Sequence, residues 1–173
     1  MNGNAMRTEV KLRPLEPEDV DFLYSIENDT DLWDKGCTNV PYSHYVLSNY
    51  ILNGSCDIYS DKQMRLLIED AVGEPVGLID VFNFEPRCLR AEIGIAVEKK
   101  YRNHGFGLEA LRRILAYCRD TLHLHQVYAF ICSDNEHSIN LFQSAGFTQT
   151  AKMKDWVAKG DGYEDAILMQ FFL

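Results

Sequence analysis

Residues 92–111 read EIGIAVEKKYRNHGFGLEAL, and this stretch decides the fold. Its apolar beginning predicts a strand, a basic turn with two glycines follows, and an amphipathic helix comes next. The first amides of a helix have no partner inside it and carry a partial positive charge, so a helix start attracts anions. Gly105 and Gly107 let the backbone come close to a ligand, and Arg102 adds a positive charge. The stretch therefore predicts a binding site for a pyrophosphate group.

Composition and charge limit the kinds of protein that this chain can be. The 173 residues are 46% hydrophobic and 12% aromatic, which predicts one folded domain over residues 7–173. Residues 1–6 are assigned to a leader or vector-derived segment, because Met6 is a second possible start. The formal net charge of −9 opposes nucleic-acid binding, and it is explained either by a cationic substrate or by solubility alone.

Localisation is predicted from the cysteines and the apolar runs. The five cysteines lie far apart without a C-x-x-C pair, which favours reduced thiols in the cytoplasm. The N-terminal residues do not have the pattern of an export signal, and no apolar run approaches the ~18 residues that cross a bilayer. We therefore expect a cytoplasmic protein that neither enters a membrane nor binds nucleic acid.

The order of predicted elements is β-α-α-β-β-β-α-β-α-β-β. Hydrophobic periodicity predicts strands over Thr8–Leu12, Met64–Glu69, Val76–Val81, Arg90–Val97, Gln126–Cys132, Thr148–Val157 and Tyr163–Phe171. Helices are predicted from Pro17, from Ser43 through Leu52, over Gly105–Leu122, and from a capping box at Ser133-Asp134-Asn135-Glu136 through Ser144. This order predicts an α+β fold with a mixed sheet whose early strands are antiparallel.

The glycine turn also fits two other interpretations. Gly105-x-Gly107-x-x-Ala110 matches the dinucleotide fingerprint, and Asp134 could then bind a ribose. That fingerprint normally follows the first strand of a parallel sheet, whereas antiparallel hairpins precede it here. A turn that only closes a loop leaves the grouping of Arg102 with the two glycines unexplained.

Two motifs follow one another in the chain. The first is Arg102-x-x-Gly105-x-Gly107 after a strand, and the second is Asn135-x-x-Ser138-Ile139-Asn140-Leu141-Phe142-x-x-x-Gly146-Phe147. Together they resemble the GCN5-related N-acetyltransferases (GNAT), and the resemblance extends from Arg7 to Phe172. It implies a GNAT-like fold, which is a central twisted mixed sheet with a splayed strand pair and helices on both faces. Pro41-Tyr42 and Gly162-Tyr163-x-Asp165 are similar to segments of spermidine/diamine N-acetyltransferases and ribosomal-protein N-terminal acetyltransferases.

The family resemblance implies acetyl-CoA as co-substrate, without a metal, and it assigns the contacts. The strand that ends in Ile95, Ala96 and Val97 would pair with the pantetheine arm, beside a gap to the next strand. The residues around the pyrophosphate would be Arg102, Asn103, His104, Gly105, Phe106 and Gly107. Asn135 would hydrogen-bond the pantetheine arm, with Ser138 beside it. His104 is also explained as an exposed loop residue, and Asn135 as a helix-start residue.

The resemblance further implies direct attack of a neutral amine on the thioester. Glu92 matches a position that is often acidic in the polyamine enzymes and could accept the amine's proton through water. It could equally hold the ammonium or form a salt bridge, and Asp80 is a second acidic candidate. A backbone amide near Ala96 or Val97 would bind the oxyanion. Phe142 stands where the family usually has a tyrosine that protonates the thiolate, so we expect modest activity.

The acceptor amine is assigned to an acidic region around the first helix. Glu27, Asp31 and Asp34 flank Trp33, with Asp80 on a later strand, and acidic groups beside an aromatic ring suit a polyamine or diamine such as spermidine. A solvated acidic loop explains the same composition. Protein N-termini are an alternative acceptor, and a degenerate acyl-CoA-binding module is an alternative function. We expect the protein to form a homo-oligomer.

Overall fold

The computed structural model describes residues 8–33, 40–55 and 57–173. Over these ranges the strands are β1 (Lys11–Pro14), β2 (Met64–Glu69), β3 (Pro75–Glu85), β4 (Arg90–Val97), β5 (Gln126–Cys132), β6 (Thr148–Lys159) and β7 (Gly162–Phe172). The helices are α1 (Val20–Glu27), α2 (Thr30–Trp33), α3 (His44–Asn53), α4 (Ile58–Asp61), α5 (Phe106–Asp120) and α6 (Glu136–Ser144). Short 3₁₀ turns at Pro17–Asp19 and Lys99–Tyr101 precede α1 and α5.

The strands form one mixed sheet in the order β1-β2-β3-β4-β5-β7-β6. Neighbouring strands are antiparallel except β4 and β5, which are parallel because α5 connects them as a crossover. The β4–β5 pairs are Arg90–Gln126, Ala91–Val127 and Glu92–Tyr128, and the ladder ends at Glu92. We call the gap beyond this point, between residues 93–97 of β4 and residues 129–132 of β5, the fork. The predicted mixed sheet with a splayed strand pair is thus confirmed.

Helices cover both faces of the sheet because successive strand residues point in opposite directions. On the face that we call the α1 face, Leu67 and Leu78 pack with Leu23, Ile26 and Leu47 of α1 and α3. The opposite face, the α5 face, holds a core from α5, α6 and the alternate strand positions: Ile68, Ile79, Ala91, Ile93, Leu111, Ile114, Val127, Ala129 and Phe142. Glu92 lies between Ala91 and Ile93, so its side chain points to the α1 face.

The strongly periodic elements agree with the sequence prediction. The observed bounds of β2, β4 and β5 are the predicted ones. Ser43 caps α3 as expected, and its hydroxyl accepts a hydrogen bond from the Val46 amide at 3.2 Å. The short helices α2 and α4 were not predicted, since four residues are too few to show a helical period.

Three differences from the prediction have physical causes. β1 begins at Lys11 rather than Thr8, because the Thr8 hydroxyl donates to the His104 carbonyl at 2.8 Å, in front of α5. β3 extends to Glu85 through an irregular segment after Phe82. The cap of α6 is Asn135 rather than a capping box at Ser133, because the Ser133 hydroxyl is hydrogen-bonded to Glu164 on β7.

No helix in the described ranges has the length and apolarity that crossing a bilayer requires. These ranges also hold no group of three side chains that could ligate a metal ion. Cys88 is exposed, whereas Cys118 lies on the buried side of α5.

Candidate active site

A cavity of about 950 Å³ follows the fork. Its walls come from α1, α2 and α3, from the sheet, from the start of α5 and from α6. The cavity brings together most of the residues that the sequence assigned to the site, namely Glu27, Asp31, Trp33, Asp80, Glu92, Ile95, Ala96, Val97, Arg102, Asn103, Gly105, Phe106, Gly107, Asn135, Ser138 and Phe142. His104 is exposed and does not line the cavity. Asp34 lies outside the described residues.

Unpaired backbone amides form one end of the cavity. Gly105 caps α5 in the left-handed conformation with φ of 87°, and Asn103 has φ of 64°. The first backbone bond of α5 runs from the Glu109 amide to the Gly105 carbonyl at 3.1 Å. In the part of the chain that the structure describes, no acceptor is bonded to the amides of residues 103–107. These amides and the helix dipole form a site that attracts an anion such as a diphosphate.

The turn is packed closely beside both glycines. A Cβ at Gly105 would lie 2.9 Å from Thr8 Oγ1, and a Cβ at Gly107 would lie 3.2 Å from Leu141 Cδ2. The protein fills the space beside each glycine, which differs from the expectation that the glycines make room for a ligand. The glycines instead hold the start of α5 close to the N-terminal segment and to α6, and this contact fixes the direction of the amides.

β4 presents to the fork backbone groups that do not pair with another strand. The Glu98 amide donates to a β3 carbonyl at 2.9 Å, and the direction of backbone groups alternates along a strand in an antiparallel ladder. The amides and carbonyls of Ile95 and Val97 therefore face the fork. Arg102 Nε donates to the Val97 carbonyl at 2.9 Å, which agrees with this direction. Of the two amides expected to bind the oxyanion, that of Val97 faces the fork and that of Ala96 faces β3.

α6 contributes Asn135, Ser138 and Phe142 to the cavity wall. Asn135 Oδ1 accepts the Ser138 amide at 3.2 Å, so the alternative role of Asn135 at the start of the helix is confirmed. Its Nδ2 is bonded to no described residue, and Asn135 can therefore cap α6 and donate into the cavity at the same time. Phe142 is 3% exposed and packs edge-on against Phe147, with ring centroids 4.9 Å apart.

Glu92 lies at the base of the fork, in the last residue pair between β4 and β5, and is 9% exposed. Asn83 Nδ2 donates to Glu92 Oε2 at 2.8 Å, and the Phe130 amide also donates to this carboxylate. Burial raises the pKa of Glu92 above its usual value, although the two donors act in the opposite direction. Glu92 forms no salt bridge with a described residue, and Arg65 on the same face of the sheet is bound by Glu27 and Asp80. Proton transfer and ammonium binding remain as its alternatives.

Arg65, Glu27 and Asp80 form an ion cluster that we call the acceptor wall. Arg65 Nε and Nη2 donate to Asp80 at 2.7 and 3.1 Å, and Nη1 donates to Glu27 Oε1 at 2.6 Å. Burial lowers the pKa of Arg65, but the two carboxylates outweigh burial and raise it overall. Both oxygens of Asp80 are engaged by the guanidinium. Of the two acidic candidates for proton transfer, Glu92 is therefore better placed than Asp80.

The segment after α1 contributes the other acceptor residues. Trp33 Nε1 donates to the Glu27 carbonyl at 2.8 Å, which holds the indole against the end of α1. Asp31 is exposed and forms an ion pair with Lys99 at 3.2 Å. Among the described members of the predicted acidic region, Glu27 therefore lies in the cavity wall and Asp31 lies at its rim.

Arg65 and Asn83 were not predicted from the sequence to belong to the site. Arg65 is directly opposite Asp80 in the β2–β3 register, so the signal was a pair of opposite charges at opposed positions of a predicted hairpin. Asn83 interrupts the apolar run Val81-Phe82-Asn83-Phe84. An asparagine inside such a strand is a signal for a bulge, because asparagine is depleted in regular strands.

Comparison with known proteins gives four findings. Residues 9–148 match the family model of the acetyltransferase (GNAT) domain. The spermidine N(1)-acetyltransferase of Escherichia coli K12 is 25% identical over 167 residues, which cover 94% of this chain and 86% of that protein. The spermidine N-acetyltransferase from Vibrio cholerae in complex with CoA and spermine has a TM-score of 0.85 at 22% identity, over 94% of this chain and 95% of that chain. A dodecameric structure of the Vibrio cholerae enzyme in an intermediate state has a TM-score of 0.78 at 23% identity, over 94% and 93% of the two chains.

Proposed function

The chain belongs to the acetyltransferase (GNAT) family, and we propose that it transfers the acetyl group of acetyl-CoA directly to a primary amine of a polyamine or diamine such as spermidine. The family predicted from the two motifs is confirmed, and with it the enzyme class, an acyltransferase that uses acetyl-CoA. The observation that carries the proposal is the fork. Glu92 lies at its base, the unpaired amides of residues 103–107 lie at its mouth, and one cavity joins the two.

The described residues fit acetyl-CoA along the fork. The amides of residues 103–107 suit the diphosphate, and the backbone amide and carbonyl of Ile95 suit the amides of the pantetheine arm, as an added strand would. Asn135 adds a side-chain amide from α6. When bound there, acetyl-CoA supplies an acetyl group activated as a thioester. The chain's own residues bind it, orient it and accept the charges that the transfer creates.

Glu92 is the residue that we assign to proton transfer. An alkylamine has a pKa of roughly 10.4, so the acceptor must lose a proton before it attacks. Burial raises the pKa of Glu92, which brings the carboxyl closer to the range in which a general base works best. The Val97 amide, which faces the fork, is assigned to the oxyanion.

Phe142 supports a modest rate rather than a loss of activity. A phenyl ring cannot donate a proton to the departing thiolate. A thiol with a pKa of about 8.5 is a tolerable leaving group without such help, so water or the incoming ammonium can supply the proton. The same residue motivates the alternative, a degenerate module that binds acyl-CoA without turnover.

The acceptor wall supports a cationic substrate. Glu27 and Asp80 carry two negative charges and Arg65 carries one positive charge, which leaves one net negative charge in the wall. Glu92 adds another at the base of the fork. A cavity with this charge concentrates cations, and Trp33 offers a ring face for a cation–π contact. The spermidine enzymes named above are relatives over most of the chain, and this favours a polyamine over a protein N-terminus.

Location and assembly are further parts of the proposal. We place the enzyme in the cytoplasm, where the sequence predicts reduced thiols. We also propose a homo-oligomer, because the related Vibrio cholerae enzyme has a dodecameric structure. β6 is the outermost strand at one end of the sheet, and an outer strand offers unpaired backbone groups to a second copy.

A thiol-release assay with acetyl-CoA tests the proposal. The acceptor panel contains diamines, spermidine, amino acids, aminoglycosides and peptides with free N-termini. We expect turnover on the diamines or spermidine. Glu92→Gln is expected to lower kcat by about a hundredfold, whereas the matched control Glu74→Gln, exposed in the β2–β3 turn, keeps the wild-type rate. Turnover only on peptides would show that the protein acetylates protein N-termini instead. Binding of CoA without turnover on any acceptor would show that it is a degenerate acyl-CoA-binding module.

A further inference from the structure

β3 contains one residue more than β4 beside the base of the fork. The two strands pair residue for residue as far as Phe82–Glu92 and pair again at Glu85–Arg90. Asn83 lies in this bulge with φ of 48°, a left-handed conformation in which asparagine is several-fold enriched over most residues. Such bulges redirect side chains and are common beside active sites.

The bulge changes the direction of the Asn83 side chain. In a regular strand Asn83 would point away from the face that carries Phe82 and Glu92, because successive side chains alternate. Asn83 Nδ2 instead donates to Glu92 Oε2 at 2.8 Å. The residue that follows is fixed, since Phe84 is 1% exposed and its amide donates to the Lys62 carbonyl at 3.1 Å. The packing of Phe84 therefore holds the bulge in place.

We propose that Asn83 is a positioning residue that keeps the Glu92 carboxylate ionised and aimed into the fork. The inference rests on the proposed function, in which Glu92 accepts the proton of the amine. An amide N–H stabilises the charged form of a carboxyl group more than the neutral form. The Phe130 amide donates to the same carboxylate from β5. Glu92 is thus held from both strands that flank it.

Of the other charged groups on this side of the sheet, exposed Arg90 and Glu85 lie opposite each other where β3 ends and β4 begins, and the remaining ones bind one another. From β2 and β3, Arg65 and Asp80 form a bidentate pair, and from α1, Glu27 accepts from the same guanidinium. From β5, Tyr128 lies opposite Glu92. Burial and the charge of Glu92 both raise the pKa of Tyr128, so this phenol stays neutral in the range where Glu92 titrates. Within the described chain, Asn83 is consequently the side-chain donor that opposes the effect of burial on Glu92.

The pH dependence of kcat/KM for the amine tests the proposal. Asn83→Gly removes the amide and keeps the left-handed backbone, and Asn83→Asp keeps the shape but places a second negative charge beside Glu92. The control is Asn53→Gly at the end of α3, which removes a remote amide that donates to the Asn49 carbonyl at 2.9 Å. The amine titrates identically in all assays, so its contribution cancels when the kcat/KM of each variant is divided by that of the wild type at the same pH.

Loss of the donor makes Glu92 easier to protonate. The kcat/KM of the variant must therefore fall below that of the wild type at low pH. For Asn83→Gly the ratio to wild type is expected to fall about tenfold near pH 6 and to approach unity near pH 9. The ratio for Asn83→Asp is expected to fall further at low pH, and the ratio for Asn53→Gly is expected to stay near unity at every pH. A ratio that is constant with pH would overturn the proposal, because a merely structural role produces that result.

A second measurement is independent of turnover. NMR of isotope-labelled glutamate side chains follows the titration of Glu92, which Glu92→Gln identifies. Its midpoint is expected at higher pH in Asn83→Gly than in the wild type, and an unchanged midpoint overturns the inference even if both proteins are active. A shifted midpoint in a protein that acetylates no amine would support the inference about Asn83 and reject the proposed function.

Discussion

Replacement of Gly105 by alanine gives a direct test of the anion-binding turn. Gly105 has φ of 87°, and an added Cβ would lie 2.9 Å from Thr8 Oγ1. The left-handed backbone costs an L-residue about 1–2 kcal/mol, and the close contact adds about 1 kcal/mol when the neighbouring segment has to move. We therefore expect Gly105→Ala to lower the free energy of unfolding by about 2–3 kcal/mol, measured by urea denaturation.

Gly73 provides a matched control for the backbone contribution. It has φ of 89°, nearly the same as Gly105, and an added Cβ has no atom within 4 Å. Gly73 lies in the turn between β2 and β3, away from the cavity. Gly73→Ala is expected to lower the free energy of unfolding only by the cost of the left-handed backbone, about 1–2 kcal/mol. The difference between the two variants then measures the contact with Thr8.

The acetyl-CoA kinetics decide whether the turn binds the diphosphate. If Gly105→Ala shifts the amides of residues 103–107 to relieve the contact, the KM for acetyl-CoA rises, by about tenfold for each 1.4 kcal/mol of lost binding. The KM for the amine is expected to stay the same, and Gly73→Ala is expected to keep both values. A folded Gly105→Ala enzyme with the wild-type KM for acetyl-CoA would refute the reasoning.

Three further predictions concern other residues. Phe142→Tyr is expected to raise kcat about tenfold in the thiol-release assay, because a hydroxyl at this position can protonate the thiolate; an unchanged or lower kcat would contradict this. Arg65→Met is expected to lower the free energy of unfolding by about 3–5 kcal/mol, because it leaves two partly buried carboxylates without their cation. Arg113→Met, which breaks a more exposed helix ion pair, should cost less than about 0.5 kcal/mol, and equal losses in urea denaturation would argue against a buried cluster. Burial raises the pKa of the Cys118 thiol to about 12, so a disulfide reagent near pH 8 should label exposed Cys88 first and Cys118 only after unfolding; mass spectrometry of the peptides checks the order, and early labelling of Cys118 would be inconsistent with the structure.

The elements with a strong local pattern could be predicted from the sequence. The bounds of β2, β4 and β5 follow from short apolar runs between turn residues, and the start of α3 follows from the Ser43 cap. The glycine turn and the α6 segment could be identified because each motif is contiguous in the chain. The residues assigned to the cofactor lie mostly in one cavity, and their binding to acetyl-CoA stays a prediction.

The features that could not be predicted depend on contacts between distant segments. Thr8 displaces the start of β1 because its hydroxyl reaches the carbonyl of His104, and no local pattern reports that contact. The charges of Glu27 and Asp80 suggested an open acidic site, but Arg65 occupies both carboxylates. Its position opposite Asp80 depends on the strand register, which sequence patterns specify less well than the existence of the strands.

The short ladder between β4 and β5 also determines how the molecule resists being pulled apart. Three residue pairs join the two halves of the sheet, so the backbone supplies little cohesion across the middle. The buried side of α5, with Leu111 and Ile114, packs against Ile79 and Ile93 from one half and against Val127 from the other. The two halves of the sheet therefore share one core beneath this helix, and this shared core lets the sheet keep a permanent opening at its centre without separating into independent units.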